Sequence, residues 1–136
     1  MVNQKIEEIE GIGPAYAEKL LEAGIKTTDD MLQHGRAPKG REEIATKTGI
    51  SSTLILKWVN MADLFRVNGV GGEFAELLEA AGVDTVKELK HRNPENLAEK
   101  MAEVNETKKL TRVVPSAKTV EKWVEEAKTM PAGIEY

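Results

Sequence analysis

Residues 11–25 read Gly11-Ile12-Gly13-Pro14-Ala15-Tyr16-Ala17-Glu18-Lys19-Leu20-Leu21-Glu22-Ala23-Gly24-Ile25, and the phrase returns at residues 69–83 as Gly69-Val70-Gly71-Gly72-Glu73-Phe74-Ala75-Glu76-Leu77-Leu78-Glu79-Ala80-Ala81-Gly82-Val83. The spacing between paired positions is constant at 58 residues, and identical or similar residues fill most of the pairs. A phrase repeated at a fixed spacing indicates two copies of one supersecondary unit that pack together. The duplication therefore predicts the architecture of the chain.

The composition is that of a globular, helical protein. Of 136 residues, 40% are hydrophobic and 31% are charged, whereas aromatic residues contribute only 4%. This balance excludes a disordered chain and predicts an aliphatic core. Helix-forming residues dominate and alternating β-branched runs are absent, so we expect an all-α fold.

Charge and residue types exclude several classes of protein. The formal net charge is −4, which is poorly suited to many phosphate contacts, although a local basic face is compatible with it. Cysteine is absent, which excludes disulfides and thiolate metal sites. No stretch has the character of a signal peptide or a membrane span, so the sequence predicts a soluble, cytoplasmic protein with no membrane partner.

Helix start and stop signals recur in both halves of the chain. Pro14 stands at a favoured first helical position and Gly24 at a favoured C-terminal one. The predicted N-caps include Thr27 or Thr28 in the first half, and Thr85 and Ser116 in the second. The predicted helices cover about residues 4–9, 14–24, 28–33, 41–47 and 52–64 in the first half, and about residues 72–81, 86–90, 94–104 and 117–130 in the second.

The two halves also end alike. Trp58 and Trp123 stand in matching phrases 65 residues apart, so the second copy holds an insertion, which we place at residues 105–115. Both tryptophans are predicted to pack in the core, with stacking on a base or partner as the alternative. The predicted organisation is one compact domain that consists of a first repeat at 1–64 and a second repeat at 65–130, followed by a flexible tail at 131–136.

Both copies of the phrase resemble the helix-hairpin-helix motif, in which an apolar residue precedes a Gly-x-Gly turn and a helix follows. The matching positions are Ile9, Gly11, Ile12, Gly13, Ala17, Leu20 and Gly24 in the first copy, and Val67, Gly69, Val70, Gly71, Ala75, Leu78 and Gly82 in the second. The resemblance implies tandem helix-hairpin-helix repeats packed about a pseudo-two-fold axis. The stretch from Gly11 to Trp123 also looks like a bacterial family of unknown function built on two such motifs.

The resemblance further implies a function. In the helix-hairpin-helix family, hairpin amides and a nearby Lys or Arg bind DNA phosphates without reading sequence, as the anion preference of a helix N-terminus allows. We therefore expect a non-catalytic module that binds nucleic acid weakly and without sequence preference. The residues implicated are Gly11, Ile12, Gly13, Lys19, Arg66, Gly69, Gly71 and Gly72. Hairpin carbonyls hold a monovalent cation in some members, and we expect no other cofactor or metal.

The two copies depart from the family pattern where the helix after the hairpin begins. The position that is often basic in DNA-binding members is Ala15 in the first copy and Glu73 in the second. A carboxylate repels a phosphate, so we expect the first hairpin to be the better phosphate site. In the alternative interpretation the glycines serve only to fold the hairpins. The protein is then a protein–protein interaction module that keeps the scaffold without binding DNA.

A second pattern, within residues 41–60, has helix-turn-helix spacing. A recognition helix that begins at Ser52 would present side chains to a major groove and receive phosphate contacts from flanking cations. The presenting residues would be Ser52, Thr53 and Lys57, and the flanking cations Arg36, Lys39 and Arg41. The same two helices also complete the first repeat, and the second copy has a long loop where the turn belongs, so we favour a scaffold role.

The remaining features are surface charges. Two further basic clusters consist of Lys108, Lys109 and Arg112, and of Lys87, Lys90, His91 and Arg92. Each is typical of solvated surface, and together they offer a patch for nucleic acid or an acidic partner. The chain has no nucleophile–base pair, Walker sequence or dinucleotide fingerprint, so we expect no enzymatic activity and no small-molecule substrate.

Overall fold

The computed structural model describes residues 3–136, and apart from one bridge between Lys5 and Thr27 its regular elements are helical. A short 3-10 helix at Ile6–Glu8 is followed by α1 (Pro14–Glu22), α2 (Thr28–Gly35), α3 (Pro38–Thr48), α4 (Ser52–Leu64), α5 (Gly72–Ala80), α6 (Val86–Leu89), α7 (Pro94–Lys108) and α8 (Ala117–Lys128). The predicted all-α class is confirmed. The first two residues of the predicted 1–64 repeat lie outside the described residues. Within residues 3–136, none of the helices combines the length and apolar character needed to cross a membrane.

Side-chain caps begin several helices where the sequence predicts them. The hydroxyl of Thr27 accepts from the amide of Asp30, whose carboxylate accepts from the amide of Thr27 in return. Thr85, Asn93 and Ser116 each accept from the amide three residues further on and so cap α6, α7 and α8. Each cap satisfies an N–H group that a helix leaves unpaired, so these boundaries follow from local chemistry.

Three helices are longer than the sequence predicts, and α2 is one of them because it ends at Gly35 rather than at residue 33. α3 begins at Pro38 rather than at residue 41, because proline suits the first helical position. α7 continues past residue 104 to Lys108, so the inserted loop begins later than expected. The side chain of Asn105 donates to the carbonyl and accepts from the amide of Thr111, at 3.0 and 2.9 Å, which ties this loop to the end of α7.

A single aliphatic core runs through both halves of the chain. Leu20 from the first half and Leu78 from the second belong to the same cluster of buried residues. Trp58 and Trp123 are 1% and 3% exposed, as the core interpretation predicts. Neither indole face is therefore available to stack on a base.

The turn before α1 and the turn before α5 share one backbone geometry. Gly11 has φ = 95° and Gly69 has φ = 88°, in the left-handed region that favours glycine. In each turn, the apolar residue after this glycine donates its amide to the carbonyl three residues back, at 3.1 Å. We call residues 9–13 the first hairpin and residues 67–71 the second hairpin. A pseudo-two-fold relation between the repeats stays a prediction.

Alanine at Gly11 or Gly69 is expected to lower the free energy of unfolding by about 1–2 kcal/mol, because an L-residue is strained in this region. The loss is expected to be larger at Gly69, where a Cβ would lie 3.3 Å from Nε1 of Trp123, against 3.6 Å from Nε1 of Trp58 at Gly11. Urea denaturation followed by circular dichroism measures both. Asparagine at each position is the matched control, since it enters the left-handed region at lower cost. Equal losses for asparagine and alanine would contradict this account.

A buried ion pair connects the end of α4 to α6 and to the C-terminal segment. Oδ1 of Asp63 accepts from Nη1 of Arg66 at 2.7 Å, and Oδ2 accepts from the amide of Val86 at 2.8 Å. Arg66 also donates through Nη2 to the carbonyl of Pro131 at 2.8 Å. These contacts hold the start of α6 and the tail against α4.

Residues 131–136 pack against the first half of the chain. Ile134 is buried, and the amide of Glu135 donates to the carbonyl of Arg36 at 2.7 Å. The hydroxyl of Tyr136 donates to the side-chain oxygen of Asn60 at 3.1 Å. The sequence predicts a flexible tail, and in the structure these contacts join the segment to the end of α2 and to α4.

Candidate nucleic-acid interface

The first hairpin leaves backbone amides unpaired at the start of α1. Gly13 is the N-cap and has no side chain to accept a hydrogen bond, and Pro14 follows at the first helical position. The amides of Ala15 and Tyr16 donate to no acceptor within residues 3–136. Free N–H groups and the positive end of the helix dipole both favour an anion. The start of α1 is therefore open to an anion such as a phosphate.

Of the two cations that the sequence places beside the hairpins, only Lys19 is free to meet an anion. It is exposed on α1 and forms no ion pair with any described residue. Helical side chains lean towards the N-terminus, so its ammonium group can approach the start of α1. Arg66 is instead bonded to Asp63 and Pro131. We therefore revise its predicted role, because these contacts occupy its guanidinium group within the fold.

Two lysines that the sequence does not single out lie close to the first hairpin. Lys5 and Lys26 line a groove together with Pro14, between the 3-10 helix and α1. Glu7 and Glu18 line the same groove, so its local charge is balanced. The two lysines are far apart in sequence, and only the backbone pairing of their segments brings them together.

Backbone and acidic groups lie beside the start of α5 at the second hairpin. Gly72 packs so closely on the first half that a Cβ there would overlap the carbonyl oxygen of Glu8. Oε1 of Glu10 would lie 3.5 Å from that Cβ, and Glu73 adds a carboxylate in the first turn of α5. One carbonyl oxygen and two carboxylates in this position oppose the binding of an anion.

The second hairpin itself binds a further carboxylate, through Asn68. Both oxygens of Glu126, on α8, accept from the backbone amide of Asn68 at 3.2 Å, and Oε2 also accepts from its side-chain amide. The 65-residue spacing of the final helices places Met61 at the corresponding position of the first half. Methionine brings no carboxylate to that position of α4, so the two halves differ in charge at their hairpins.

Negative charge accumulates along α5. Burial raises the pKa of Glu76, and the charge of Glu10 raises it further, whereas Lys57 lowers it. Burial also raises the pKa of Glu79, whose Oε1 lies 3.8 Å from Nζ of Lys57. The acidic surface of α5 therefore disfavours a phosphate at its start, as Glu73 alone predicts from the sequence.

The segment with helix-turn-helix spacing forms two helices joined by a short turn. Gly49 ends α3 with φ = 72°, and the hydroxyl of Ser51 accepts from the amide of Thr53 at 3.2 Å. The first turn of α4 is exposed, but most of its remaining length is buried. The helix therefore serves mainly as part of the core, which agrees with the scaffold interpretation.

Arg41 does not present its charge to a ligand. Its guanidinium group donates to the carbonyls of Gly35, Arg36 and Glu135 at 2.8, 3.0 and 2.9 Å, and the residue is 8% exposed. The predicted phosphate contact is incompatible with this burial. The sequence contains no signal for it, because the three acceptors are backbone groups and one of them lies 94 residues away.

The two remaining basic clusters differ in their contacts. The cluster at the end of α7 is exposed and forms no ion pair with the described residues. It consists of Lys108, Lys109 and Arg112. In the other cluster, Lys90 donates to the carbonyl of Met130 at 2.8 Å, and Arg92 lies 3.3 Å from Oε1 of Glu88. Two cations of this cluster, Lys90 and Arg92, are therefore already paired with groups of the protein itself.

The chain was compared with protein families, curated proteins and solved structures. The model of a family described as a domain of unknown function, DUF4332, matches residues 10–130, which include both hairpins and both tryptophans. No curated protein and no solved structure matches the chain.

Proposed function

We propose a function for this chain, which belongs to the DUF4332 family, from the geometry of its two hairpins. It is a non-catalytic binding module that holds nucleic acid weakly and without sequence preference. Both hairpins are helix-hairpin-helix motifs in this proposal. The first hairpin contacts a phosphate, and the second serves the scaffold.

The observation that carries the proposal is the unpaired start of α1. The amides of Ala15 and Tyr16 have no protein acceptor within the described residues, and Gly13 offers no capping side chain. Lys19 lies on the same helix, exposed and without an ion pair among those residues. Together, the backbone amides and a mobile ammonium group form a suitable site for two oxygens of one phosphate.

The same geometry supports binding without sequence preference. Backbone amides meet phosphates rather than base edges, and phosphate contacts carry no direct sequence information. The tryptophans are buried and do not offer a stacking surface. One phosphate site on a chain of net charge −4 supports low affinity.

The experiment is fluorescence anisotropy of labelled random-sequence duplex and single-stranded DNA, first at low salt and then across a salt titration. We expect a dissociation constant on the order of 10⁻⁴ to 10⁻⁶ M that weakens steeply with salt, because bound counterions are released on association. Equal affinity for unrelated sequences is also expected. The absence of binding at low salt would refute the proposal.

Lys19→Glu is expected to weaken DNA binding at least about fivefold at low salt and to lower the slope of log K against log salt by about one. The reason is that the change removes a cation beside the phosphate and adds a carboxylate. Lys100→Glu on α7 is the matched control, since it makes the same charge change at an exposed position of a helix that packs on α5 and α8. Equal losses in both variants would show that only net charge matters.

A protein–protein interaction module is the second candidate. The acceptor groups at the second hairpin favour it, since the carbonyl oxygen of Glu8 and the carboxylates of Glu10 and Glu126 lie where a phosphate would bind. Exposed apolar side chains also favour it, with Val113 at 69% and Leu21 at 51% exposure. This candidate predicts an interaction that depends only weakly on salt and tolerates Lys19→Glu.

A further inference from the structure

Each hairpin has an indole N–H beside its left-handed glycine. Nε1 of Trp58 lies 3.6 Å from the position that a Cβ of Gly11 would take, and Nε1 of Trp123 lies 3.3 Å from the corresponding position at Gly69. The ring of Tyr16, from the first turn of α1, packs edge-on against Trp58 with centroids 5.1 Å apart. The indole is therefore fixed against both the hairpin and the start of the helix.

The N–H of Trp58 has no partner inside the protein. The residue is 1% exposed, yet its indole nitrogen donates to no acceptor among residues 3–136. In that range no fully buried side-chain nitrogen or oxygen lacks a hydrogen-bond partner, so Nε1 retains contact with solvent. Gly11, which has no side chain, is the exposed residue beside it. Because a buried indole N–H ordinarily finds an acceptor, this donor points to one outside the chain.

We infer that the indole N–H of Trp58 donates to the phosphate held at the first hairpin, an inference that rests on the proposed function. The phosphate accepts from the backbone amides at the start of α1 and, besides Lys19, from this indole donor. Gly11 then has a second role besides its φ angle. Any side chain at that position would stand beside the indole nitrogen and obstruct the approach of an oxygen to it.

The second hairpin supplies an internal comparison. Trp123 has the same position and burial, and Phe74 packs on it with ring centroids 5.3 Å apart. At its hairpin, however, the carbonyl oxygen of Glu8 and Oε1 of Glu10 lie beside Gly72, and Glu73 adds a carboxylate in the first turn of α5. The same indole donor is thus present at a hairpin that repels phosphate, which makes Trp123 a matched control for Trp58.

The first test compares Trp58→Phe with Trp123→Phe in the DNA anisotropy assay. Phenylalanine keeps a buried aromatic ring and removes only the N–H and part of the ring volume. We expect Trp58→Phe to weaken binding about tenfold or more and Trp123→Phe to change it less than twofold, as the loss of one donor to a charged group implies. Circular dichroism melts establish the temperature at which both variants are fully folded. Similar affinities for the two variants would overturn the inference.

The second test observes the N–H directly and needs no change at Trp58. In the Trp123→Phe protein, labelled with ¹⁵N, a single indole resonance remains and belongs to Trp58. Addition of a short random-sequence duplex is expected to shift this resonance together with the amides of Gly13, Ala15 and Tyr16. Shifts in the amides without a shift in the indole would overturn the inference and leave the proposed function standing. The absence of any shift at low salt would refute both.

Discussion

Replacement of Asp63 by alanine is expected to lower the free energy of unfolding by about 3–5 kcal/mol, a large part of the stability of a domain of this size. The carboxylate is 1% exposed and accepts from Arg66 and from the amide of Val86 at the start of α6. Without it, a mostly buried guanidinium group keeps only the carbonyl of Pro131 as a partner, and the first amide of α6 loses its acceptor. Removing one member of a buried pair is costly because the other remains desolvated.

Urea denaturation at neutral pH measures this loss, and Asp84→Ala is the matched control. Asp84 is exposed, and its replacement by alanine removes the same charge. We therefore expect the free energy of unfolding to change by less than about 0.5 kcal/mol. A double-mutant cycle of Asp63→Asn with Arg66→Met is expected to give a coupling energy of about 1–3 kcal/mol. A loss below about 1 kcal/mol for Asp63→Ala would show that the pair does not hold α6 and the tail.

The ion pair between Asp63 and Arg66 also bears on whether Arg66 is available to bind a phosphate. From the sequence Arg66 is a cation immediately before the second hairpin, and so a candidate for phosphate binding. The spacing of Asp63 and Arg66, three residues apart at the end of a helix, is a signal for pairing between them. That signal does not reveal burial, because Val86 and Pro131 reach the pair from distant parts of the chain. Local spacing predicts a partner, whereas tertiary packing determines whether a charge stays available.

The elements that the sequence predicts well are those that local chemistry controls. Thr27, Thr85 and Ser116 cap helices because a hydroxyl satisfies an N–H group within three residues. Gly11 and Gly69 take positive φ because the turn requires it in both copies. The duplication makes further predictions possible, because the local structure inferred for one copy also applies to the other. These features need no knowledge of which helices meet.

The asymmetry between the hairpins depends on contacts across the chain and is only partly predictable. Glu73 is visible in the sequence as a carboxylate at the start of α5. The contact of the Glu8 carbonyl oxygen with Gly72 is not visible in the sequence, because every residue has a backbone carbonyl whatever its side chain. The contribution of Glu126 is partly predictable. Alignment of the final helices shows that a glutamate replaces Met61 at this position, but it does not show that the carboxylate reaches Asn68. Duplication predicts that the two halves share a fold. Contacts between and within the halves then make the charge at their hairpins different.

Arg41→Ala is expected to lower the free energy of unfolding by about 2–4 kcal/mol and to release the C-terminal segment. The guanidinium group joins the end of α2 to the tail, with two bonds to the carbonyls of Gly35 and Arg36 and one to that of Glu135. It also lies 5.8 Å from the ring centroid of Tyr136. Hydrogen bonds to charged donors are stronger than neutral ones, and the carbonyls left behind are partly buried.

Urea denaturation and the rate of carboxypeptidase cleavage measure the two effects, with the exposed Arg36→Ala as the matched control. Arg41→Lys keeps the charge but replaces a planar fork by a single ammonium group, so it is expected to recover less than half of the lost stability. Full recovery would show that charge rather than geometry joins these carbonyls. The DNA affinity of folded Arg41→Ala is expected to equal that of the unaltered protein. A selective loss of affinity would instead return α3 and α4 to the helix-turn-helix interpretation, since only a ligand contact could then explain it.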